Sequence, residues 1–236
     1  MNDPAAKSPP ATIPECRFRL IYRKTGVAIY MSHLDSMNAL IRALRRSGLP
    51  YLVTQGCHPR PRCSFGPALS LGHSGAGEVM DIWIAGPADA GMVRERLAGQ
   101  MPHGMPLLRV EGLPANAKAI VSEAPMSYRL RFRQGADAAL ALAEDFFRDS
   151  ERIISVHRSD GTRRQSIAGA VRFWGREPDS EAGDQVGEKT VCMIVEFAKA
   201  GNGIPSASKI VAALAEFLGS EKDALVETER VAIREN

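Results

Sequence analysis

The chain has 236 residues, 44% of them hydrophobic and 24% charged, with a formal net charge of +3; that is enough apolar material for one large domain or two small ones. No stretch approaches a membrane span of roughly 20 apolar residues, and residues 1–14, rich in Pro, Ala and polar side chains, read as a disordered tail rather than a signal peptide, so a cytoplasmic protein with four reduced cysteines is expected. Charge is uneven: from Glu15 to Gly77 nine Lys/Arg stand against two acids, a local +7 that exceeds the total, and such asymmetry points to an anionic partner, most simply a nucleic-acid backbone.

In chain order, Arg17–Arg23 alternates Phe18, Leu20 and Tyr22 with arginines, and after the Lys24-Thr25-Gly26 turn Val27–Met31 reads as the second strand of a hairpin. A helix then begins at Ser32, a good N-cap with Asp35 three residues on. Leu34, Met37, Leu40, Ile41 and Leu44 predict its buried stripe, while Arg42, Arg45 and Arg46 fall on the other side. Gly48 and Pro50 end the helix, and a short strand follows.

Residues 55–77 have no apolar period but a dense run of backbone-shaping residues. Gln55, Gly56, Pro59, Pro61, Ser64, Phe65 and Gly66 are expected to shape an ordered, partly extended loop, with His58, Arg60 and Arg62 presented outward in alternation. Nucleic-acid contacts are therefore assigned to Arg42, Arg45, Arg46, Arg60 and Arg62.

Val79–Ile84 predicts a strand, Ala88–Gln100 a helix with Met92, Val93 and Leu97 inward, and Leu107–Val110 a strand. The Gly/Pro/Ala-rich stretch 113–125 reads as a linker between residues 15–112 and 126–236. The second half repeats the plan. Tyr128–Arg133 and Arg152–His157 are strands around a helix at Ala136–Arg148, with Leu140, Ala143 and Phe147 on one face. Asp160-Gly161 is a turn signal with Arg163 and Arg164 beside it, and Ile167–Trp174 pairs with Thr190–Phe197 across an acidic tip at 176–188. Ser206–Leu218 is a helix burying Ile210, Val211, Leu214 and Phe217, and Leu225–Arg234 a last strand. The expected fold class is α+β, a tandem pair of ferredoxin-like units of β-α-β-β-α-β type with antiparallel sheets covered by helices.

The motif order RKTG, SHLD, ALRRSGLP, QG-x-x-PRP-x-x-SFG-x-x-LSLG and EVMDI resembles the bacterial radical SAM-linked domain family of unknown function. The resemblance rests on Ser32, His33, Leu34, Asp35, Gln55, Gly56, Pro59, Pro61, Ser64, Phe65, Leu71 and Gly72, and covers Arg17 to about Gly112 with specific motifs. Members of that family stand alone or are fused behind cobalamin-binding radical SAM proteins. The resemblance implies a cobalamin-binding radical SAM enzyme as partner, with RNA or a ribosomal particle as substrate.

The chain lacks the CxxxCxxC run that would hold an iron–sulfur cluster, so it is not read as that enzyme, and no cofactor is assigned. Cys57, His58, Cys63 and His73 would supply zinc ligands by type, but five residues separate the two cysteines and the adjacent Cys57 and His58 point apart if extended. Cys57 and Cys63 are expected to be buried thiols, with no metal. His33, Asp35 and His58 are the candidates for acid–base chemistry, against a structural role for His33 and Asp35 at the helix start. The expected function is an accessory protein that binds RNA, or a particle containing it, through the basic helix and loop. Two alternatives remain: a metal-independent ribonuclease resembling CRISPR RNA-processing enzymes, and a pure protein-docking module.

Overall fold

Alternation of Phe18, Leu20 and Tyr22 with arginines builds the first strand, β1 (Glu15–Lys24), and buries the three apolar side chains on one side. The computed structural model describes residues 14–120, 125–158, 161–177, 190–198 and 204–233. After β1 come α1 (His33–Arg46), β2 (Cys63–Phe65), β3 (Ser74–Ala85), α2 (Ala90–Ala98), β4 (Leu107–Leu113) and β5 (Met126–Arg133). They are followed by α3 (Asp137–Arg148), β6 (Ile153–Arg158), β7 (Gly161–Ser166), β8 (Val171–Glu177), β9 (Thr190–Phe197), α4 (Ala207–Leu218) and β10 (Leu225–Ile233). Among the described residues the fold is mixed α+β, with four α-helices and one 8-stranded sheet in the order β4-β1-β3-β10-β5-β9-β8, β2 lying beside β3. The strands β6 and β7 form a separate pair. Every pairing in the large sheet is antiparallel except one, the parallel contact of β10 with β3 at Glu229–Ser74 and Arg230–Gly75.

That parallel contact joins the two halves into one sheet, each half with its own core. In the first, Phe18, Leu20, Met80, Ile82 and Ile84 of the sheet pack against Leu40 and Leu44 of α1 and Val93 and Leu97 of α2. In the second, Tyr128, Leu130, Phe132, Met193, Val195 and Phe197 pack against Leu140 and Phe147 of α3 and Ile210 and Leu214 of α4. Burying side chains of this size contributes about 1.5–3 kcal/mol each. Leu69, from the connection between β2 and β3, packs in the second core. A loop of the first half is thereby stitched into the other.

Where α1 begins, the sequence states its own geometry. Ser32 accepts a hydrogen bond from the Asp35 amide at 3.1 Å, its hydroxyl donates back to the Asp35 carboxylate at 2.6 Å, and Gly48 leaves the helix at φ +68. Elsewhere the chain departs from the sequence reading. Val27–Met31 is not a strand: Gly26–Tyr30 is a 3₁₀ turn, because both edges of β1 are taken by β3 and β4. Met31 instead offers its carbonyl to the Lys24 ammonium at 2.8 Å. Leu34, expected in the buried stripe, is exposed, and the stripe is Ser36, Ala39, Leu40, Ala43 and Leu44. Tyr51 and Val53 make only single bridges, to Ile84 and Pro61. β3 starts at Ser74, five residues earlier than expected.

In the second half Arg163 and Arg164 lie within β7, paired with Val156 and Ser155, while Asp160 of the expected turn lies outside the described residues. Phe217 is partly exposed beneath the Arg152 guanidinium, 4.5 Å from the ring centroid, with its ring 5.4 Å from that of Phe146. The acidic tip from 178 onward lies outside the described residues. At the start of the connection after β4, Ala117 and Lys118 offer carbonyls to Arg17 at 2.8 and 3.0 Å.

Candidate functional site

Polar side chains are concentrated in two places, and the strand alternation decides which is which. The side of β1 and β3 opposite the helices carries Arg17, Arg19, Asp81 and Trp83. Asp81, fully buried, receives Arg19 at 2.7 and 3.0 Å and Arg17 at 2.5 and 3.1 Å. Further along the same sheet Arg131 reaches Glu227 and Glu229 at 2.7 and 2.9 Å, and Arg129 reaches Glu229 at 3.0 Å. A carboxylate with no exposure is tolerated only when donors surround it, and this one has four.

The second concentration lies where the halves meet on the helix side. Arg230, from β10, is 1% exposed and forms a two-pronged pair with Glu78 of β3, with its Nε at 2.9 Å from the carboxylate. Its remaining hydrogens go to the carbonyls of Pro67 at 2.9 Å and Ala68 at 3.2 Å and to the Met126 sulfur at 3.7 Å. The loop after β2 is therefore held down by an arginine 163 residues away in sequence. A Cβ on Gly75 would stand 2.5 Å from the Glu78 carboxylate, so the glycine in the Ser74–Gly77 run is what lets the carboxylate lie there. Lys24 is 3% exposed beside this pair, donating to Met31.

Around Arg230 and Glu78 stand Tyr22, His33, His73 and Tyr128. Burial, with Arg230 and Lys24 adding to it, holds His73 down to about 4, and its Nδ1 has no hydrogen-bond partner. Burial and the same cations lower His33, with Glu78 partly opposing them. Lys24 is lowered chiefly by burial. Burial alone would push Arg230 down, but Glu78 raises it, so the pair remains ionic. His33 and His73 are thus neutral imidazoles at pH 7 in a cationic junction.

Of the residues proposed for acid–base chemistry, His33 faces this junction, Asp35 caps the helix with Ser32, and His58 stands exposed on the loop. The groups that act on His33 are Arg230, Glu78 and Lys24, and His58 is not one of them. Among the described residues no three His, Cys, Asp or Glu side chains gather as a metal site requires. Cys57 is exposed, not buried as expected, and so are its loop neighbours from 53 to 60. Cys63 is half-buried, and burial pushes its thiol up to about 11.

The five arginines assigned to nucleic acid do not form one strip. Arg42, Arg45 and Arg46 lie on the outer face of α1, exposed, with Arg46 engaged by Gln100 at 2.8 Å. Arg60 is exposed on the loop, its backbone paired with Thr54. Arg62 is not simply outward: it pairs with Glu15 at 2.9 Å and lies 4.8 Å over Trp83, on the sheet side away from α1. The loop-shaping residues divide in the same way. Gln55, Gly56 and Pro59 are exposed, Pro61 is buried, Phe65 packs on the first core, and Gly66 donates its amide to Val79 at 2.9 Å. The hydroxyl of Ser64, opposite Asp81, is buried without a partner.

Sequence reasoning missed Glu78, Arg230, Lys24 and Trp83. One signal for Arg230 was present: Glu227-Thr228-Glu229-Arg230 is polar on both faces of a strand, so its charges must find partners in the sheet.

The molecule is thus an α+β protein with a large, mostly antiparallel sheet, ion pairs inside it and exposed arginines outside. No helix among the described residues is long and apolar enough to cross a membrane. Its residues 17–199 match the family described as "Uncharacterized protein conserved in bacteria (DUF2344)", and the chain belongs to that family. A comparison with curated proteins finds no match. Among solved structures it is similar to one of a protein assigned as a glycine cleavage system transcriptional repressor, at 9% identity, covering 94% of this chain and 99% of that one. The TM-score of 0.23 gives that likeness no weight for fold or function.

Proposed function

We propose that the protein is a cytoplasmic accessory protein that binds RNA, or a ribonucleoprotein particle, and presents it to a separate cobalamin-binding radical SAM enzyme. The observation that carries the reading is the state of Arg42, Arg45 and Arg60: all three are exposed, and none has an ion pair or hydrogen bond from its side chain among the described residues. Arg19, Arg62, Arg131 and Arg230, by contrast, meet carboxylates at short range. Cations left free on a helix face and a stiffened loop suit phosphate oxygens. The radical SAM partner rests on the motif resemblance.

Each half is read as a ferredoxin-like unit. What supports this is the strand order within the halves, β4-β1-β3-β2 and β10-β5-β9-β8, which is the same last-first-third-second arrangement twice, with β6 and β7 inserted in the second. Tandem units of this kind bring a broad sheet and two helix pairs to one substrate, but fold alone assigns no chemistry.

Copurification with crosslinking, reading out bound RNA and bound protein together, tests the proposal. RNA crosslinked to peptides containing Arg42, Arg45 or Arg60, with a radical SAM protein in the same complex, is the expected result. A radical SAM protein without RNA would leave a docking module, and RNA cut without added metal would point to the ribonuclease.

A further inference from the structure

The two helices of the first half turn cations toward each other. In α1 the buried residues are Ser36, Ala39, Leu40, Ala43 and Leu44. At about 100° per residue this leaves Arg45 near the outer crest and puts Arg42 and Arg46 together on one flank. That flank faces α2, because Arg46 donates to the carbonyl of Gln100, just beyond α2, at 2.8 Å and to its side chain at 3.3 Å. In α2 the buried residues are Val93 and Leu97, so Arg94 and Arg96 fall on opposite flanks with Glu95 on the outer crest between them. Arg96 is the one turned toward α1: a Cβ on Gly48, just beyond α1, would stand 3.6 Å from its Nη1.

A furrow results, with Arg42 and Arg46 on one wall and Arg96 on the other. The acids of these two helices are spent elsewhere. Asp35 accepts the Ser32 hydroxyl and Asp89 accepts the Met92 amide at 2.9 Å, both at helix starts, and Glu95 stands on the crest. Arg42 and Arg96 are exposed, and neither side chain has an ion pair or hydrogen bond among the described residues. Arg42 and Arg46, four residues apart on one helix, repel each other. Like charges gathered without a counter-charge in the fold are stabilised by an anion from outside it.

We infer that the phosphate backbone of the bound RNA runs along this furrow, with Arg96 of α2 as a contact opposite Arg42 of α1, and that Arg94 on the far flank of α2 takes no part. Guanidinium forks on both walls suit phosphate oxygens approached from two sides, and the Glu95 carboxylate turns the backbone away from crossing the crest of α2. The inference deepens the RNA-binding reading and rests on it: it adds a second helix to the contact face and sets the path of the strand.

The test follows oligo(U) binding by fluorescence anisotropy over a range of salt concentrations, for the wild type, Arg96→Ala, Arg94→Ala and Arg96→Lys. Arg94→Ala is the control, since it removes the same charge from the same helix at a position that is also exposed. Arg96→Ala should make the slope of log affinity against log salt shallower by about 0.7, one lost contact on a single strand, while Arg94→Ala keeps the wild-type slope. Arg96→Lys retains the charge and should retain the slope. An unchanged slope in Arg96→Ala, or an equal flattening by Arg94→Ala, overturns the furrow path while salt-dependent oligo(U) binding by the wild type still upholds the RNA reading. Flattening by Arg96→Lys as large as that by Arg96→Ala also overturns it, because charge would not be what the alanine removed. No binding of oligo(U) by the wild type defeats the RNA reading itself, and the furrow path falls with it.

Discussion

Arg19, Arg131 and Arg230 project from strands into places from which water is excluded, whereas Arg42, Arg45 and Arg60 stand in solvent. Each of the first three meets a carboxylate at hydrogen-bonding distance, and Arg230 takes two loop carbonyls as well. The desolvation of a buried ion is several kcal/mol, so such a charge persists only where its partners are already built into the fold. An exposed arginine carries no such requirement. The difference teaches that arginines serve this chain in two ways: Arg19, Arg131 and Arg230 brace the sheet and the junction between halves, while Arg42, Arg45 and Arg60 have no such partner among the described residues.

The comparison breaks most visibly if a buried partner is removed. Glu78→Ala leaves Arg230 in place with an uncompensated charge, and should cost about 3–5 kcal/mol in urea unfolding. It should also loosen the Pro67–Leu69 loop, seen as faster amide exchange there. A loss below about 1 kcal/mol would mean that Arg230 reaches water and is no clasp.

A smaller effect comes from the junction's imidazoles. His73 is held down to about 4 by burial first and then by Arg230 and Lys24, against an ordinary value of 6.5. Between those values the unfolded chain binds a proton that the folded chain does not, so stability rises with pH through that window. The contribution is complete above about 6.5 and is lost as pH falls toward 4. The expected loss from this group is of order 1–3 kcal/mol, and His73→Gln should flatten the pH dependence between pH 6.5 and 4. An unchanged profile in the variant would place His73 in solvent.

Smaller again is the start of α1. Ser32→Ala removes the hydroxyl that caps Asp35, and should cost about 1 kcal/mol by chemical denaturation. A much larger loss would show that His33, the first residue of that helix, depends on the cap to hold its place in the junction.

These particulars also mark what a sequence can tell. The α1 start was legible because cap, helix and stop are local: Ser32, Asp35 and Gly48 decide them within one stretch of chain. The fate of Val27–Tyr30 was not, since whether an apolar run becomes a strand depended on β4, more than 75 residues on, already holding the edge of β1. Leu34 obeys the helical period and is exposed, because the period fixes a direction and not what packs there. The site divided in the same manner. Exposed arginines on α1 followed from its amphipathic pattern, but the pairing of Arg62 with Glu15 and of Arg230 with Glu78 spans 47 and 152 residues, and no local signal joins such partners.

The central claim, that the free arginines face phosphate, is tested most directly by the salt dependence of RNA binding for the wild type and for Arg42→Ala/Arg45→Ala/Arg60→Ala. The triple change should leave stability within about 0.5 kcal/mol per site, since none of these side chains braces the fold. If all three contact a single strand, the slope of log affinity against log salt should become shallower by about 0.7 per contact, and affinity at low salt should fall. Equal slopes and equal affinities would contradict the account, and the surplus charge of the first half would then have no part in binding RNA.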